Sequence, residues 1–463
     1  MDSTGKIQWD KTIGGLGSED FKSVIQTFDG GYALIGESDS PISDEKSENG
    51  FGLYDYWLVK LDSAGNIEWD RTIGGSGTEY IDMIVQTKDS GYVLAGSSDS
   101  PISGYKTEDS RGYFDYWVVK VNKRGNKVWD KTIGGSDYEF CSPVLLTNDG
   151  EVLLSGFSAS NISGEKTENS RGDYDIWLVK LNDKGKIQWD RTIGGNDFDG
   201  AVGILPEDDG GYILSGSSAS NISGEKTEDS RGLTDYWVVK VDAKGHKLWD
   251  KTIGGSGDDH QGFGGQLERT SDGGFILGGS SNSYTSGEKT EDSRGDFDYW
   301  VVKLDKNANI QWDKTIGGSA YDAMGSIKEI APNQYVAAGF SWSAISGDKK
   351  AFSRGAADYW LIKLKYIKQS DNANTNSSED ISVSSFQKNI GDKIFTVYPN
   401  PAKDLLNVHV NGKAIVTLTN QSGKIILTKT IDVSGVINVN NLPAGLYYLK
   451  NNTTGEMRKV IIN

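Results

Sequence analysis

The sequence has 463 residues and a formal net charge of −17, with 59 Gly, 8 Pro, 3 His, a single Cys, 13 Trp, 21 Tyr and 14 Phe. This many aromatic side chains exclude a disordered polymer, one Cys excludes an internal disulfide, and three His exclude a His-rich metal site. No apolar run approaches the ~18 residues that a membrane helix needs, and the acidic balance argues against nucleic acid as a partner.

Six copies of one sequence pattern fill residues 5–365. Each copy contains a W-D-[KR]-T-I-G-G segment and a second Trp that follows Asp and an aromatic or Ile residue. The step between copies is 60 residues, except for one step of 63 residues in the fifth copy. The first series is Trp9, Trp69, Trp129, Trp189, Trp249 and Trp312, and the second is Trp57, Trp117, Trp177, Trp237, Trp300 and Trp360. A fixed period of this length indicates a repeat architecture.

Each repeat predicts four β-strands. In the second copy, residues 84–87 and 92–96 flank one Gly-containing turn, and residues 116–121 and 127–133 flank another. Four short strands per repeat are typical of β-propeller blades. Residues 5–15 supply one strand and the last copy supplies only three, so we predict that the N-terminal strand completes the last blade. The predicted fold is all-β, with a closed six-bladed β-propeller over residues 1–368.

The remaining residues predict a linker and a second domain. Residues 369–393 begin with a polar run without apolar periodicity, which predicts a flexible linker. Apolar and polar residues alternate again from residue 394, which predicts a small Ig-like β-sandwich over residues 394–463.

The C-terminal segment carries an ordered series of motifs. Y-P-N-P at residues 398–401 precedes an L-L-N-V strand, and L-P-A-G-L-Y-Y-L at residues 442–449 precedes a basic and apolar tail. In this series it resembles the type A sorting domain of the type IX secretion system of Bacteroidota-type bacteria. The resemblance implies passage across the inner membrane with a leader, and partners in the outer-membrane translocon and shuttle. It also implies a secreted or cell-surface location, with removal of the domain and either anchoring or release. The candidate sorting-signal residues are Pro399, Asn400, Pro401, Gly445, Tyr447 and Lys459. A purely structural interpretation stays open, in which the prolines start an edge strand and Gly445 makes a turn.

A carboxylate lies four residues beyond the second Gly of every I-G-G segment. If the first strand of each blade lines the central channel, these acids would ring its mouth and bind a cation such as Ca²⁺ or a group of sugar hydroxyls. The alternative is that each carboxylate accepts backbone N–H bonds from its own loop. We predict no other cofactor. The acids are Glu19, Glu79, Glu139, Asp199, Asp259 and Asp322.

Five repeats place an Arg in the long loop between strands two and three, where the first repeat has Phe51. Arg side chains bind carboxylates or sulfates of an acidic glycan. The alternative is a salt bridge to Glu or Asp of the neighbouring loop. These residues are Arg111, Arg171, Arg231, Arg294 and Arg354.

A third series places Asp directly before the aromatic or Ile residue that precedes each second Trp. Acid–base catalysis needs groups in distinct environments, whereas sixfold repetition gives identical ones, so we predict that each Asp ties its strand to the preceding loop. The series is Asp55, Asp115, Asp175, Asp235, Asp298 and Asp358.

The repeats differ in few places where a unique site could form. The fifth copy has a three-residue insertion within residues 258–265 that contains His260, and Tyr284 and Trp342 also break the pattern. Repeated equivalent loops suit multivalent contact better than one catalytic centre. We therefore predict an exported module that binds a glycan or a protein, in preference to an enzyme. A carbohydrate-active lyase or sialidase-like hydrolase is the alternative, and a structural component of the cell surface is a third.

Overall fold

The computed structural model describes residues 8–147, 149–262, 267–367, 380–385, 395–398 and 401–463. Regular structure in this part of the chain consists of β-strands. Two compact units form, one from Met1–Lys350 with Ala357–Ser384 and one from Ala351–Ala356 with Ser385–Asn463. Within the described ranges, no helix has the length and apolar character needed to cross a membrane. The all-β prediction is confirmed.

The first unit contains six antiparallel sheets, and strands consecutive in sequence are neighbours in each sheet. The first sheet contains β1 (Glu19–Gln26), β2 (Tyr32–Ser38), β3 (Asp55–Leu61) and β4 (Ile67–Ile73), the second β5 (Glu79–Gln86), β6 (Tyr92–Ser98), β7 (Asp115–Val121) and β8 (Lys127–Ile133), and the third β9 (Glu139–Leu146), β10 (Val152–Ser158), β11 (Asp175–Leu181) and β12 (Ile187–Ile193). The fourth contains β13 (Asp199–Pro206), β14 (Tyr212–Ser218), β15 (Asp235–Val241) and β16 (Lys247–Ile253), the fifth β17 (Asp259–His260), β18 (Leu267–Arg269), β19 (Phe275–Ser281), β20 (Asp298–Leu304) and β21 (Ile310–Ile316), and the sixth β22 (Asp322–Ala331), β23 (Gln334–Ser341), β24 (Asp358–Ile367) and β25 (Asp380–Ser385).

The third strand of each sheet forms the apolar core between neighbouring sheets. In the second sheet, Tyr116 and Trp117 have no exposed surface. The Tyr116 ring lies 5.1 Å from the Trp177 ring of the third sheet, and its hydroxyl donates to the Trp177 carbonyl oxygen at 3.1 Å. Buried rings of this size contribute a few kcal/mol each, so the second Trp series stabilises sheet-on-sheet packing.

The outer strand of the sixth sheet differs from the prediction. Residues 380–385, inside the predicted linker, form β25 beside β24, and residues 8–18 form no strand. The sheets are therefore not closed into a ring by N-terminal pairing. Loop closure explains the difference, because β25 follows β24 after 12 residues, whereas the N-terminal segment is more than 340 residues away.

The N-terminal segment instead packs on the first sheet. Trp9 lies 5.7 Å from Tyr32 between ring centroids, as Trp69 lies 6.2 Å from Tyr92 one repeat later. Each Trp also contacts a turn glycine, Gly65 or Gly125, where a Cβ would touch the indole ring. Residues 8–13 thus take the place that an outer strand of a preceding sheet would have.

The second unit is a five-stranded sheet with its own core. It contains β26 (Phe395–Tyr398), β27 (Leu405–Asn420), β28 (Ile425–Asn438), β29 (Gly445–Asn451) and β30 (Met457–Ile462). Val408, Val416 and Leu418 of β27 and Leu449 of β29 are fully buried. The long β27 pairs with β26, β28 and β29, so one strand organises the domain.

Candidate functional site

The loop face is the end of the sheets where first strands begin, second strands end and third strands begin. In the second sheet it comprises residues 74–78 and 99–114. All three candidate series lie at this end, because the acid opens the first strand and the Arg loop leads into the third strand.

The structure buries the carboxylates of the I-G-G series between the sheets. Glu79 has no exposed surface, and its Oε2 accepts the Gly75 N–H at 2.9 Å. Its Oε1 accepts the Ser98 and Ser100 hydroxyls at 2.8 and 2.5 Å. This is the alternative arrangement described above, in which the carboxylate accepts a backbone N–H bond from its own loop. Glu139, Asp199, Asp259 and Asp322 are buried in the same way and Glu19 is half-buried, and a cation- or ligand-binding role for the series stays a prediction.

In the first five sheets, the Asp before the second Trp ties the third strand to its loop, as predicted. Asp115 Oδ2 accepts the Arg111 N–H at 2.7 Å, and Asp235 Oδ2 accepts the Arg231 N–H at 2.6 Å. The first Gly of I-G-G makes room for this carboxyl, since a Cβ at Gly134 would overlap Asp115 Oδ1. The carboxyls from consecutive sheets therefore meet at each junction, Asp55 with Glu79 and Asp115 with Glu139.

Burial changes the acidity of these groups. Desolvation raises the pKa of Glu79 and of Glu139 to about 7, and it raises the pKa of Asp175, Asp235 and Asp298 to about 6. Desolvation also lowers the pKa of Lys106 to about 8. Within the described ranges, no three His, Cys, Asp or Glu side chains form a group able to hold a metal ion.

Four of the Arg side chains form salt bridges to the neighbouring sheet's loop. Arg111 Nη2 lies 2.6 Å from Glu165 Oε1, and Arg171 Nη2 lies 2.8 Å from Glu225 Oε1. Arg231 bridges Glu288 at 2.7 Å, and Arg294 bridges Asp348 at 2.7 Å. Arg354 lies in the exposed loop of the last repeat. The salt-bridge interpretation is thus confirmed for four repeats, and ligand binding by this series stays a prediction.

The sequence analysis missed an aromatic patch on the loop face, which we define as Tyr80, Tyr113, Phe114, Tyr138 and Phe140. Tyr113 and Tyr138 stack with centroids 4.4 Å apart and an 8° angle between the rings. Tyr138 stacks on Phe140 at 6.1 Å, and Phe114 links Phe140 to Tyr80 at 5.6 and 5.3 Å. Tyr113 is 59% exposed and Tyr80 is 43% exposed. The sequence signal was weak, because some of these positions are aromatic in several repeats, whereas the Tyr113 position is Leu, Asp or Ala elsewhere, as at Leu53, Asp173 and Ala356.

The residues that break the repeat pattern do not gather at one point. His260 lies 5.1 Å from Phe297 between ring centroids, with Nδ1 3.6 Å from Asp258 Oδ1. Trp342 is exposed and contacts Tyr321 at 6.3 Å, and Tyr284 is exposed in a loop tip. Part of the inserted segment, residues 263–266, lies outside the described residues.

In the second unit, three sequence motifs meet at one end of the sheet. Gly445 pairs with Ile462, and Ile462 bridges Ala402, which follows Pro401. Tyr447 is buried and its hydroxyl donates to the Pro443 carbonyl at 2.8 Å, whereas Pro401, Gly445 and Lys459 are exposed. Pro399 and Asn400 lie outside the described residues.

This geometry agrees with a match to a known family. Residues 396–463 match the family described as the secretion system C-terminal sorting domain. Domains of this family mark proteins that the type IX system secretes to the cell surface or the extracellular space. The predicted export route and location are therefore confirmed.

Part of the chain is similar to a curated protein. The chain is 23% identical over 272 residues to the "Regulatory protein FlaEY" of Caulobacter vibrioides, covering 55% of this chain and 28% of that protein. It thus spans about a quarter of the curated relative's length.

Similar solved structures include a protein of unknown function from Dyadobacter fermentans (11% identity, 72% of this chain and 94% of that one, TM-score 0.41) and the Cps50 (Swd1) β-propeller domain from Myceliophteria thermophila (8% identity, 82% and 98%, TM-score 0.31). Kuenenia stuttgartiensis hydrazine synthase is similar over 82% of this chain and 94% of that one, at 10% identity and a TM-score of 0.36.

Proposed function

We propose that this protein is an exported binding module whose aromatic patch contacts a glycan or a protein ligand. The observation that carries the proposal is the exposed stack of Tyr113 on Tyr138 at the loop face. Flat rings that remain in contact with water offer apolar surface to a sugar ring or a partner side chain, and each tyrosine hydroxyl adds a hydrogen bond. Arg111, whose guanidinium is only half-buried, adjoins the patch and would meet an acidic group of the ligand.

Substitution of Tyr113 tests this function. We expect Tyr113→Ala to lower affinity for a glycan or envelope protein captured by the parent by tenfold or more, since exposed anchor rings dominate such interfaces. Phe28→Ala is the matched control, because Phe28 is 69% exposed but lies in a hairpin turn at the opposite end of the strands. Equal affinity of the two variants for the ligand would contradict the proposal, and so would enzymatic cleavage of a glycan by the parent protein.

We propose further that the six sheets close into a six-bladed propeller. Four internal junctions support this. Tyr56, Tyr116, Tyr236 and Tyr299 each lie 4.9–5.1 Å from the second Trp of the next sheet. Tyr359 of the sixth sheet is the next member of this series and is 99% exposed. The equivalent Trp of the first sheet is Trp57, which is 6% exposed and belongs to a cluster on which Ile13 of the N-terminal segment packs. Closure would place the first and sixth loops beside each other on one face.

For the second unit we propose the outer-membrane translocon and its shuttle as partners, in a Bacteroidota-type host. Pro401 and Gly445 are exposed and converge at one end of the sheet, and the exposed Lys459 lies farther along β30, opposite Tyr448; these residues support a contact on this part of the domain. A reporter fused to residues 394–463 tests this. Replacing Gly445 and Lys459 together by Asp should retain the reporter in the cell, whereas Lys424→Asp in the β27–β28 turn should not. Unchanged secretion of the first variant would refute this contact.

A further inference from the structure

Five junctions between consecutive sheets each bury two carboxyl groups. One comes from the start of a third strand and the other from the start of the next sheet's first strand, and all ten side chains have no exposed surface. The pairs are Asp55 with Glu79, Asp115 with Glu139, Asp175 with Asp199, Asp235 with Asp259, and Asp298 with Asp322.

At the junction of the second and third sheets, one carboxyl oxygen lacks a hydrogen-bond donor among the described residues. Asp115 Oδ2 accepts the Arg111 N–H at 2.7 Å, Glu139 Oε2 accepts the Gly135 N–H at 2.8 Å, and Glu139 Oε1 accepts the Ser158 hydroxyl at 2.7 Å. Asp115 Oδ1 is buried and has no hydrogen-bond donor in the described part of the chain. The same oxygen is unsatisfied in Asp55, Asp175, Asp235 and Asp298. In the three pairs of two Asp residues, Oδ1 of the second member is unsatisfied as well, so a single shared proton would serve both oxygens; these second members are Asp199, Asp259 and Asp322. A buried acceptor without a hydrogen-bond donor is costly in free energy. Because the same unsatisfied oxygen occurs at five junctions, we infer that a hydrogen atom on one of the carboxyl groups supplies the donor.

The charged groups around this pair do not supply the donor. Lys106 Nζ donates to Thr132 Oγ1 at 2.8 Å and lies 5.8 Å from the centre of the Trp117 ring. Arg111 pairs with Glu165, and its Nη1 lies 3.9 Å from Asp115 Oδ2, the oxygen that already has a donor. Asp130 of the outer strand and Glu79 of the preceding junction add negative charge near Lys106, and Lys166 adds positive charge near Glu139. The Tyr116 hydroxyl donates to Trp177. With both carboxyls ionised, two like charges would face each other with one oxygen unsatisfied.

We propose that each of these five junctions binds one proton, shared between its two carboxyl groups. The proton is taken from solvent as the sheets pack. It protonates one carboxylate, and the resulting O–H group donates a hydrogen bond to the other carboxylate. A divalent cation fits less well, because it needs about six oxygen ligands, and in the described part of the chain no three His, Cys, Asp or Glu side chains form a group able to hold a metal ion.

The acidities stated above agree with this assignment. Since the pKa of Glu79, Glu139, Asp175, Asp235 and Asp298 is raised in the folded state, their contribution to stability is complete below about pH 4 and is lost as the pH rises through about 6–7. Unfolded carboxyl groups have pKa values near 4, so unfolding at pH 5 should release about one proton per junction, about five from the junctions. Desolvation also raises the pKa of Glu37 to about 7 and of Asp82 to about 6, so these two groups should add about two protons.

Calorimetric unfolding of the full chain at pH 5, in buffers of different ionisation enthalpy, counts these protons. We expect about seven protons released at pH 5, about five of them from the junctions. At pH 9 the carboxyl groups should release none, and Lys106, Lys166 and Lys289, whose pKa burial lowers to about 8, should take up protons instead. Asp115→Asn should lower the count by one, because its amide donates permanently to Glu139. Asp89→Asn is the control, because the pKa of Asp89 is lowered to about 2 and this turn residue stays ionised in both states at pH 5.

A second measurement does not depend on reversible unfolding. The infrared band of protonated carboxyl groups in the folded protein at pH 5 should weaken in Asp115→Asn and keep its intensity in Asp89→Asn. Release of no protons, or an unchanged band in Asp115→Asn, overturns the proposal. Stabilisation by CaCl₂ together with proton release near zero would assign the junctions to a cation and also overturn it.

Discussion

Single residues in the loops co-vary between neighbouring repeats. Arg111 of the second repeat meets Glu165 of the third, 54 residues later, whereas Phe51 of the first repeat meets Tyr105 of the second at the same spacing. The Phe51 and Tyr105 rings lie 5.7 Å apart in an edge-on arrangement. An aromatic pair thus replaces an ion pair, which identifies both as contacts that hold consecutive loops together.

Exchange of this pair gives a prediction at the same scale. Phe51→Arg should destabilise the protein by about 1 kcal/mol, because a cation then faces the Tyr105 ring edge without a carboxylate. Adding Tyr105→Glu should recover roughly 0.5–1 kcal/mol by rebuilding the ion pair of the other repeats. Urea unfolding of the parent, both single variants and the double variant measures this coupling. Strictly additive effects would show that the loops are not coupled.

The W-D-[KR]-T-I-G-G segment shows how one strand serves several junction contacts. In the second sheet, Asp130 accepts the Trp117 indole N–H at 3.3 Å and the Thr107 N–H at 2.9 Å. Thr132 accepts from Lys106, and Gly134 leaves room for Asp115. The Asp, the Thr and the first Gly of the motif therefore contact the long loop or the third strand, whereas its Trp packs on the turn of the next sheet, as Trp129 does on Gly185. These contacts explain why the motif recurs in every repeat.

Strand existence and type followed from the sequence because β-branched and aromatic runs alternate with Gly turns at a fixed step. The outer strand of the sixth sheet did not. Asp380–Ser385 stands alone in a polar stretch, and its Ile381 and Val383 show no alternation long enough to predict a strand. These two side chains nevertheless pack on the core that contains Trp360 and Ile362.

The role of β25 can be tested by removing that apolar contact. Ile381→Asp with Val383→Asp should release β25 from β24, because neither carboxylate can be buried against the sheet without a partner. Hydrogen exchange of the backbone amides in residues 358–367 should then accelerate by tenfold or more. Ile381→Val with Val383→Ile keeps the apolar surface and should leave exchange unchanged. Continued protection of β24, with new protection of residues 8–13, would show instead that the N-terminal segment takes this edge.

At the scale of the whole molecule, the sequence predicted the sorting domain and the repeated antiparallel sheets. It predicted the candidate functional site less completely. The domain was predictable because its motifs form an ordered series, and the repeats because Trp and Gly recur at one step. The aromatic patch was not, since Tyr80, Tyr113 and Tyr138 lie on separate segments of the chain and come together only through sheet packing. The acid pairs were missed for the same reason: Asp115 and Glu139 belong to different sheets.

Closure of the ring makes one further prediction, because it changes the surroundings of one side chain. If Tyr359 packs on Trp57 as Tyr299 packs on Trp360, Tyr359→Ala should lower the free energy of unfolding by about 3–5 kcal/mol, the usual cost of truncating a buried ring. Closure would also bring Asp358 to Glu19 as a sixth carboxyl pair. If Tyr359 stays exposed instead, Tyr359→Ala should change the free energy of unfolding by less than about 0.5 kcal/mol.

Tyr299→Ala is the matched control for this measurement, since Tyr299 is fully buried at an internal junction. We expect chemical unfolding to give similar losses for the two variants, because a closed ring makes the two positions equivalent. A large loss for Tyr299→Ala beside a negligible one for Tyr359→Ala would mean that the first and sixth sheets stay apart. The loop face would then be an open row of repeated loops, and a ligand that spans the first and sixth repeats would not be bound by one molecule.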